Sequence, residues 1–320
     1  MLIVQKFGGS SLADIEKLRR AAEIAIAAQD RENKVAVVVS AMGDETDTLL
    51  QLAHAIDPGA SARELDALMS TGEMRASTLL AIMLQRMGAP AVSLSGWQSG
   101  MYTDAQHGSA RLALMFPSRV AMALHEGKIP VITGFQGIDM HGDITTLGRG
   151  GSDTSAVALA AALGADRCEI YTDVAGIYTA DPRLVPAARR LDEIDTRDML
   201  CLAQRGSQVL DAHSVELALE HGMALHVMSA ASASGCTVVH TLTGAQRPPY
   251  AGVTRDADAA LVTLVGRDCR SHTLPELASV LSEAGVIVRG GRMGAGYASM
   301  RVDEAQVIFA LTVLHRYMFE

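Results

Sequence analysis

Two glycine-bearing stretches hold the residues best suited to chemistry. The first is Lys6-Phe7-Gly8-Gly9-Ser10-Ser11 and the second is Gly148-Arg149-Gly150-Gly151-Ser152-Asp153-Thr154. Glycines allow backbone N–H groups to approach an anion that a Cβ would hold away. Lys6 and Arg149 add positive charge, and Asp153 adds a carboxylate. Both stretches lead into helical patterns, Ile15, Leu18, Ala22 and Ile26 after the first and the small apolar run Ala156 to Leu163 after the second. A helix N-terminus carries partial positive charge that favours phosphate or carboxylate. One loop with a lysine and one with an arginine and an aspartate suit a phosphate held from two sides. A tight turn capped by Ser10 or Ser11 explains the first stretch without any ligand.

The elements that would position these loops alternate between strand and helix. Leu2–Gln5, Val35–Val39, Ala91–Leu94, Ile129–Thr133, Arg167–Thr172, Ala224–Met228 and Cys236–His240 read as strands. Glycines just after strands indicate a doubly wound α/β domain, with ligands at the C-terminal end of the sheet. There, Ser40 and Thr46 are placed to donate to a substrate carboxylate, or to act as N-caps. Arg63–Met69 reads as a helix leading to Ser70-Thr71-Gly72-Glu73, with Glu73 starting another helix to Met87. Glu73 then either favours the helix dipole or meets a substrate ammonium. Ser95–Gly108 reads as an exposed loop. Pro182 and Pro186 make the segment from Val174 an extended loop, where Asp173, Tyr178 and Arg183 suit a nucleotide.

Composition limits the alternatives. The chain has 320 residues, 49% hydrophobic and 4% aromatic, enough for one large or two ordinary domains with helices packed closely on a parallel sheet. A formal charge of −9 gives no support for nucleic-acid binding. The longest apolar runs fall short of the ~20 residues that span a bilayer, and no targeting segment is visible, so no membrane partner and a cytoplasmic location are expected. The four cysteines form no CxxC pair, which favours reduced thiols. His213, His221 and His226 lack ligand spacing, and no protein metal ligand is assigned. There is no GxxxxGK[ST] loop, no GxGxxG opening a first βαβ unit and no HRD or DFG pair.

The segments VQKFGGSSL, VVSAMGDETDTLL, STGE, GFQG, TTLGRGGSDTSAVALAAALGAD and YTDVAGIYTADPRLVPAARRLDEI occur in that order over nearly all of residues 1–243. In this order they resemble aspartate kinase, of the amino-acid kinase superfamily. The resemblance implies an α/β sandwich with a mainly parallel central sheet flanked by helices, in a catalytic domain over 1–246. It also implies ATP-dependent phosphorylation of the side-chain carboxylate of L-aspartate, with Mg²⁺, as the first step of an aspartate-derived amino-acid pathway, of which lysine, threonine and methionine are candidate end products. On this resemblance Lys6 contacts phosphate and Asp153 organises the lysines, as the catalytic pair. Ser40, Thr46, Glu73, Gly134, Phe135, Arg149, Gly150, Gly151 and Ser152 hold aspartate, with Glu73 on its ammonium. Lys6, Gly8, Gly9, Ser10, Thr172, Asp173, Tyr178, Thr179, Ala180, Asp181, Pro182 and Arg183 hold ATP.

Two departures accompany the resemblance. Many family members carry a lysine in a Gly-Ala-Lys or Gly-Ser-Lys turn, where this chain reads Gly206-Ser207-Gln208; Arg205 or Arg183 would have to compensate. After the linker Gln246–Pro249, strands at Ala259–Val265, Val286–Val288 and Ala298–Val302 and helices at Leu274–Glu283 and Asp303–Tyr317 are expected. That order resembles a single shortened ACT module, a small α+β domain over 251–320, where the family usually has two. The module is expected to act as a sensor or to pair subunits in a homo-oligomer. Two other readings stay open: a kinase-like regulatory protein that binds ATP or an amino acid, and a kinase for another small acidic amino acid.

Overall fold

The structure, a computed structural model, describes residues 1–231, 235–256, 258–270 and 273–320. The chain forms two compact units, Met1–Val174 with Met223–Gly235, and Ala175–Gly222 with Cys236–Glu320. These differ from a division at the Gln246–Pro249 linker, because the segment after Val174 folds with the C-terminal elements.

The first unit opens with β1 (Leu2–Phe7), α1 (Ile15–Gln29), β2 (Lys34–Val39), α2 (Glu45–Ile56), α3 (Ala62–Arg86) and β3 (Ala91–Leu94). It continues through β4 (Met101–Thr103), β5 (Leu112–Met115), α4 (Ser118–His125), β6 (Ile129–Thr133), β7 (Gln136–Ile138), β8 (Ile144–Thr146), α5 (Gly151–Leu163) and β9 (Arg167–Thr172). After β10 (Glu193–Asp195), α6 (Thr196–Ala203) and α7 (Ala212–His221) of the second unit, β11 (Leu225–Ser229) returns to the first. Its main sheet runs β11-β9-β1-β2-β6-β3, with every pairing parallel. Such strands are buried on both faces and read as continuous apolar runs, as β2 does from Val35 to Val39.

Helix α1 is capped by Asp14, whose side chain accepts from the Lys17 N–H, and it buries Leu18, Ala21, Ala22 and Ala25. The cap is therefore not Ser10 or Ser11, and the turn before it is free of that duty. Helix α5 is buried from Gly151 through Ala160 with the exception of Thr154, as expected of a helix apolar on all sides. It ends at Gly164 in the left-handed conformation.

Two sequence expectations are corrected in this unit. Ser70–Glu73 does not separate two helices but lies inside the 25-residue α3. Gly72 sits there for close packing: a Cβ on it would lie 2.9 Å from the Ala41 Cβ. Ser95–Gly108 is not a plain exposed loop, since Ser95 and Ser99 are buried and β4 joins a small sheet ordered β5-β4-β7-β8.

The second unit adds β12 (Cys236–His240), parallel to β10, and then β13 (Gly252–Asp256), β14 (Leu261–Val265), α8 (Thr273–Glu283), β15 (Val288–Gly294), β16 (Tyr297–Val302) and α9 (Val307–Phe319). An antiparallel sheet runs β13-β14-β16-β15. Two features of this module go beyond the sequence reading. Strand β13 was not expected, and β15 runs on through Gly290 and Gly291, whose composition masks strand character. The module's core joins Leu277, Leu281, Leu311 and Leu314 to Ala180 and Val185 of the extended loop.

Candidate active site

The first glycine turn is fixed from three sides. Phe7 stacks on Tyr171 with ring centroids 4.7 Å apart, and the Gly8 N–H donates to the Tyr171 carbonyl at 3.2 Å. The Gly43 N–H donates to the Gly9 carbonyl at 3.0 Å, and a Cβ on Gly9 would stand 2.7 Å from the Ala41 carbonyl oxygen. The loop after β2 thus requires glycine at position 9. Ser10 remains exposed and Ser11 is buried.

The second loop meets the first through one contact. Lys6 Nζ lies 2.6 Å from Asp153 Oδ1, with both side chains about one tenth exposed. Lys6 comes from β1 and Asp153 from the first turn of α5, where a carboxylate also complements the helix dipole. Gly148 and Gly150 flank Arg149 with φ of +74° and +70°, a left-handed geometry that favours glycine. Arg149 is exposed and has no side-chain partner among the described residues. A Cβ on Gly8 would lie 3.5 Å from Lys6 Nζ, so bare backbone faces the amine. The glycine turn, the lysine and the start of α5 form a cradle of the kind that phosphate fits.

Opposite Ser152 the backbone is strained. Phe135 has φ +69°, unusual for a bulky residue. Its N–H donates to Ser155 Oγ at 3.0 Å and its carbonyl accepts from the Leu147 N–H at 2.8 Å, which hold it there. A Cβ on Gly134 would come within 2.8 Å of Ser152. Such strain persists where the surroundings over-determine it, commonly at functional loops.

Glu73 points inward from the middle of α3 and is 3% exposed. Its Oε1 accepts the Ala41 N–H at 3.0 Å, while Oε2 is buried without a hydrogen-bond partner among the described residues. Burial pushes its carboxyl up to about 7; the Ala41 and Glu73 amides act in the opposite direction and Glu45 raises it further. Ser40 is half-buried at the end of β2, its N–H bonded to the Phe7 carbonyl, and Thr46 is half-buried in the first turn of α2. The structure thus gathers Lys6, Gly8, Gly9, Asp153 and the start of α5 around one cradle. The Ser40–Gly43 loop links it to Glu73.

The expected nucleotide residues divide between the units. In the first, Thr172 Oγ1 donates to Asp173 Oδ1 at 3.0 Å at the end of β9. In the second, Tyr178 pairs with Arg190 in an isolated bridge, and Thr179 and Ala180 are buried. Arg183 forks onto Asp181, with Nε at 3.0 Å from Oδ1 and Nη2 at 2.9 Å from Oδ2. Arg205 lies over the Tyr297 ring at 3.3 Å from its centroid, so both arginines named as replacements for a lysine at position 208 already have partners. Gln208 is exposed.

Asp66 escaped the sequence reading. It is fully buried one heptad before Glu73 on α3 and accepts from the Gly108 N–H and the Thr146 hydroxyl, with His107 Nδ1 2.8 Å away. The only available signal was its spacing to Glu73 on one helix face. Among the described residues, His107, Asp139 and Asp143 place metal-capable atoms within 4.8 Å of one another. Arg63 Nη2 already pairs with Asp143 at 2.6 Å and Asp66 holds His107, so the group reads as an ion-pair network. No described helix is long and apolar enough to cross a membrane.

Residues 1–229 match the model of the amino acid kinase family, and the chain belongs to that family. Within it, similar curated proteins include aspartokinases. The aspartokinase of Mycobacterium tuberculosis is 48% identical over 269 residues, covering 83% of this chain and 64% of the relative. Aspartokinase 2 of Bacillus subtilis is 44% identical over 288 residues, covering 90% and 71%. The chain therefore spans just under two thirds of the mycobacterial enzyme. Among solved structures, E. coli aspartokinase III in complex with aspartate and ADP superposes with a TM-score of 0.87 over all of both chains at 23% identity, a likeness of fold. The aspartate kinase from Synechocystis is 39% identical with a TM-score of 0.69, covering 98% of this chain and 54% of its own.

Proposed function

We propose that the chain transfers the γ-phosphoryl group of ATP to the side-chain carboxylate of L-aspartate, giving 4-phospho-L-aspartate and ADP. This would open the biosynthesis of aspartate-derived amino acids. The observation that carries the reading is the 2.6 Å contact between Lys6 and Asp153, which ties the two glycine loops into one cradle. The kinship to aspartokinases supports aspartate over other acids.

A carboxylate is already a nucleophile, so no base is needed; the barrier is the approach of two anions in line. A side-chain carboxylate oxygen forms the new bond to the γ-phosphorus, while the bond to the β-phosphate bridging oxygen breaks and ADP leaves with that electron pair. Lys6, the Gly9 amide and the N-terminus of α5 supply positive charge where it develops, each well-aimed donor being worth ~3 kcal/mol. Asp153 holds the Lys6 amine in place. Arg149 is assigned to the substrate carboxylates and Glu73 to the substrate ammonium, with Ser40, Thr46, Gly134, Phe135, Gly150 and Ser152 around it. The buried, half-satisfied Glu73 supports that role, since a cation would complete it.

Ser10, Thr172 and Asp173 are assigned to ATP; the same role for Tyr178 through Arg183 rests on the family resemblance alone. Mg²⁺, bound with ATP, supplies charge neutralisation on the phosphates. The C-terminal module is proposed to pair subunits in a homo-oligomer, and use of ATP and aspartate favours the cytoplasm. Coupled ADP release with aspartate, glutamate and acetylglutamate tests the reading. Release that depends on aspartate supports it; release unaffected by any acid, or specific to another, refutes it.

A further inference from the structure

The buried Oε2 of Glu73 is not alone. Glu45, the first residue of α2, has a side chain only 14% exposed, and its Oε2 is likewise buried without a hydrogen bond. Its Cδ lies 3.7 Å from where a Cβ on Gly72 would be, next to Glu73, and Gly72 packs on Ala41, whose N–H holds Glu73. Among the described residues, one cation approaches this pair of carboxylates: Arg75 Nη2, 2.9 Å from Glu45 Oε2 in ion-pair contact but outside hydrogen-bond geometry, with a side chain 57% exposed. The buried Glu73 and the half-buried Glu45, served by one peripheral guanidinium, form a site with anionic capacity to spare. Unpaired charge of this kind is costly unless a cation completes it.

We propose that Glu45 is a second carboxylate of the ammonium subsite, so that the α-amine of the substrate is held between Glu45 and Glu73. This rests on the reading of Glu73 as the ammonium ligand and extends it to a residue to which the resemblance assigns no role. The consequence is selectivity: the site rejects dicarboxylates that lack the amine, because without it the two neighbouring carboxylates share only the peripheral Arg75 guanidinium. Arg75 then holds Glu45 in place from the solvent side.

Isothermal titration of the full chain with L-aspartate and with succinate, which lacks the amine, tests this in wild type, Glu45→Gln and Glu45→Asp. The expected result is a preference for aspartate that narrows about tenfold in Glu45→Gln and is largely restored in Glu45→Asp. In turnover, the rise in aspartate KM should exceed any fall in kcat at least about fivefold. A preference unchanged by Glu45→Gln overturns the proposal, whatever happens to the melting temperature, because a merely structural ion pair would move stability alone. Loss of aspartate-dependent ADP release in the wild type would refute the proposed function separately, with the binding preference still judging Glu45. A wild type that binds both acids equally would overturn the ammonium reading of Glu73 together with that of Glu45.

Discussion

Helix α3 carries two buried carboxylates seven residues apart, and they have opposite fates. Asp66 is saturated: a backbone N–H, a hydroxyl and an imidazole converge on it, and nothing is left for a ligand. Glu73 receives the Ala41 N–H on one oxygen, and its other oxygen is buried and idle. The first arrangement is that of a structural anchor, which fixes the loop around His107. The second keeps a charge site open at a cost in folding free energy, which is reasonable only if a substrate completes it. Burial alone therefore does not mark function; burial with unmet capacity does.

The contrast can be broken or sharpened in several ways. The largest effect is expected at the glycine cradle: Lys6→Met should lower kcat about a thousandfold while aspartate binding, measured by calorimetry, changes little. Asp66→Ala should destabilise by about 3 kcal/mol in urea denaturation, since three donors lose their acceptor inside the protein. Glu73→Gln should raise the aspartate KM about thirtyfold yet leave the unliganded protein as stable as wild type or more so at pH 8. Equal stability losses at the two positions would erase the distinction between them.

The pH dependence follows from the raised Glu73 carboxyl. On the proposed role of Glu73, a substrate ammonium needs the ionised form, which at a pKa of about 7 grows from roughly a tenth to nine tenths between pH 6 and pH 8. The aspartate KM should fall about tenfold over that range. The sign for stability is opposite. A carboxyl raised on folding binds more protons in the native state, so its contribution declines from near the unfolded value up to about pH 7 and levels off above. The smallest effect is expected at Gln208→Lys, where an added charge in an exposed position should raise kcat about threefold or less.

Much of this was readable in the sequence. Lys6, the two glycine loops, Asp153 and the alternating strands follow from local residue types, because phosphate cradles and parallel strands are built from short contiguous segments. The continuity of α3 was not readable, since Gly72 looks like a helix breaker until Ala41 is seen packed against it. Asp66 was hidden for a similar reason: its partners lie about 40 and 80 residues away, and no local pattern joins them. Strand β13 and the glycine-rich β15 form through antiparallel pairing that composition conceals.

The most direct test of the central claim is trapping of the acyl phosphate with hydroxylamine during incubation with ATP and L-aspartate. The account predicts that wild type yields the side-chain hydroxamate in step with ADP release, and that Lys6→Met yields next to none. ATP consumption without hydroxamate, or equal yields from Lys6→Met, would contradict it.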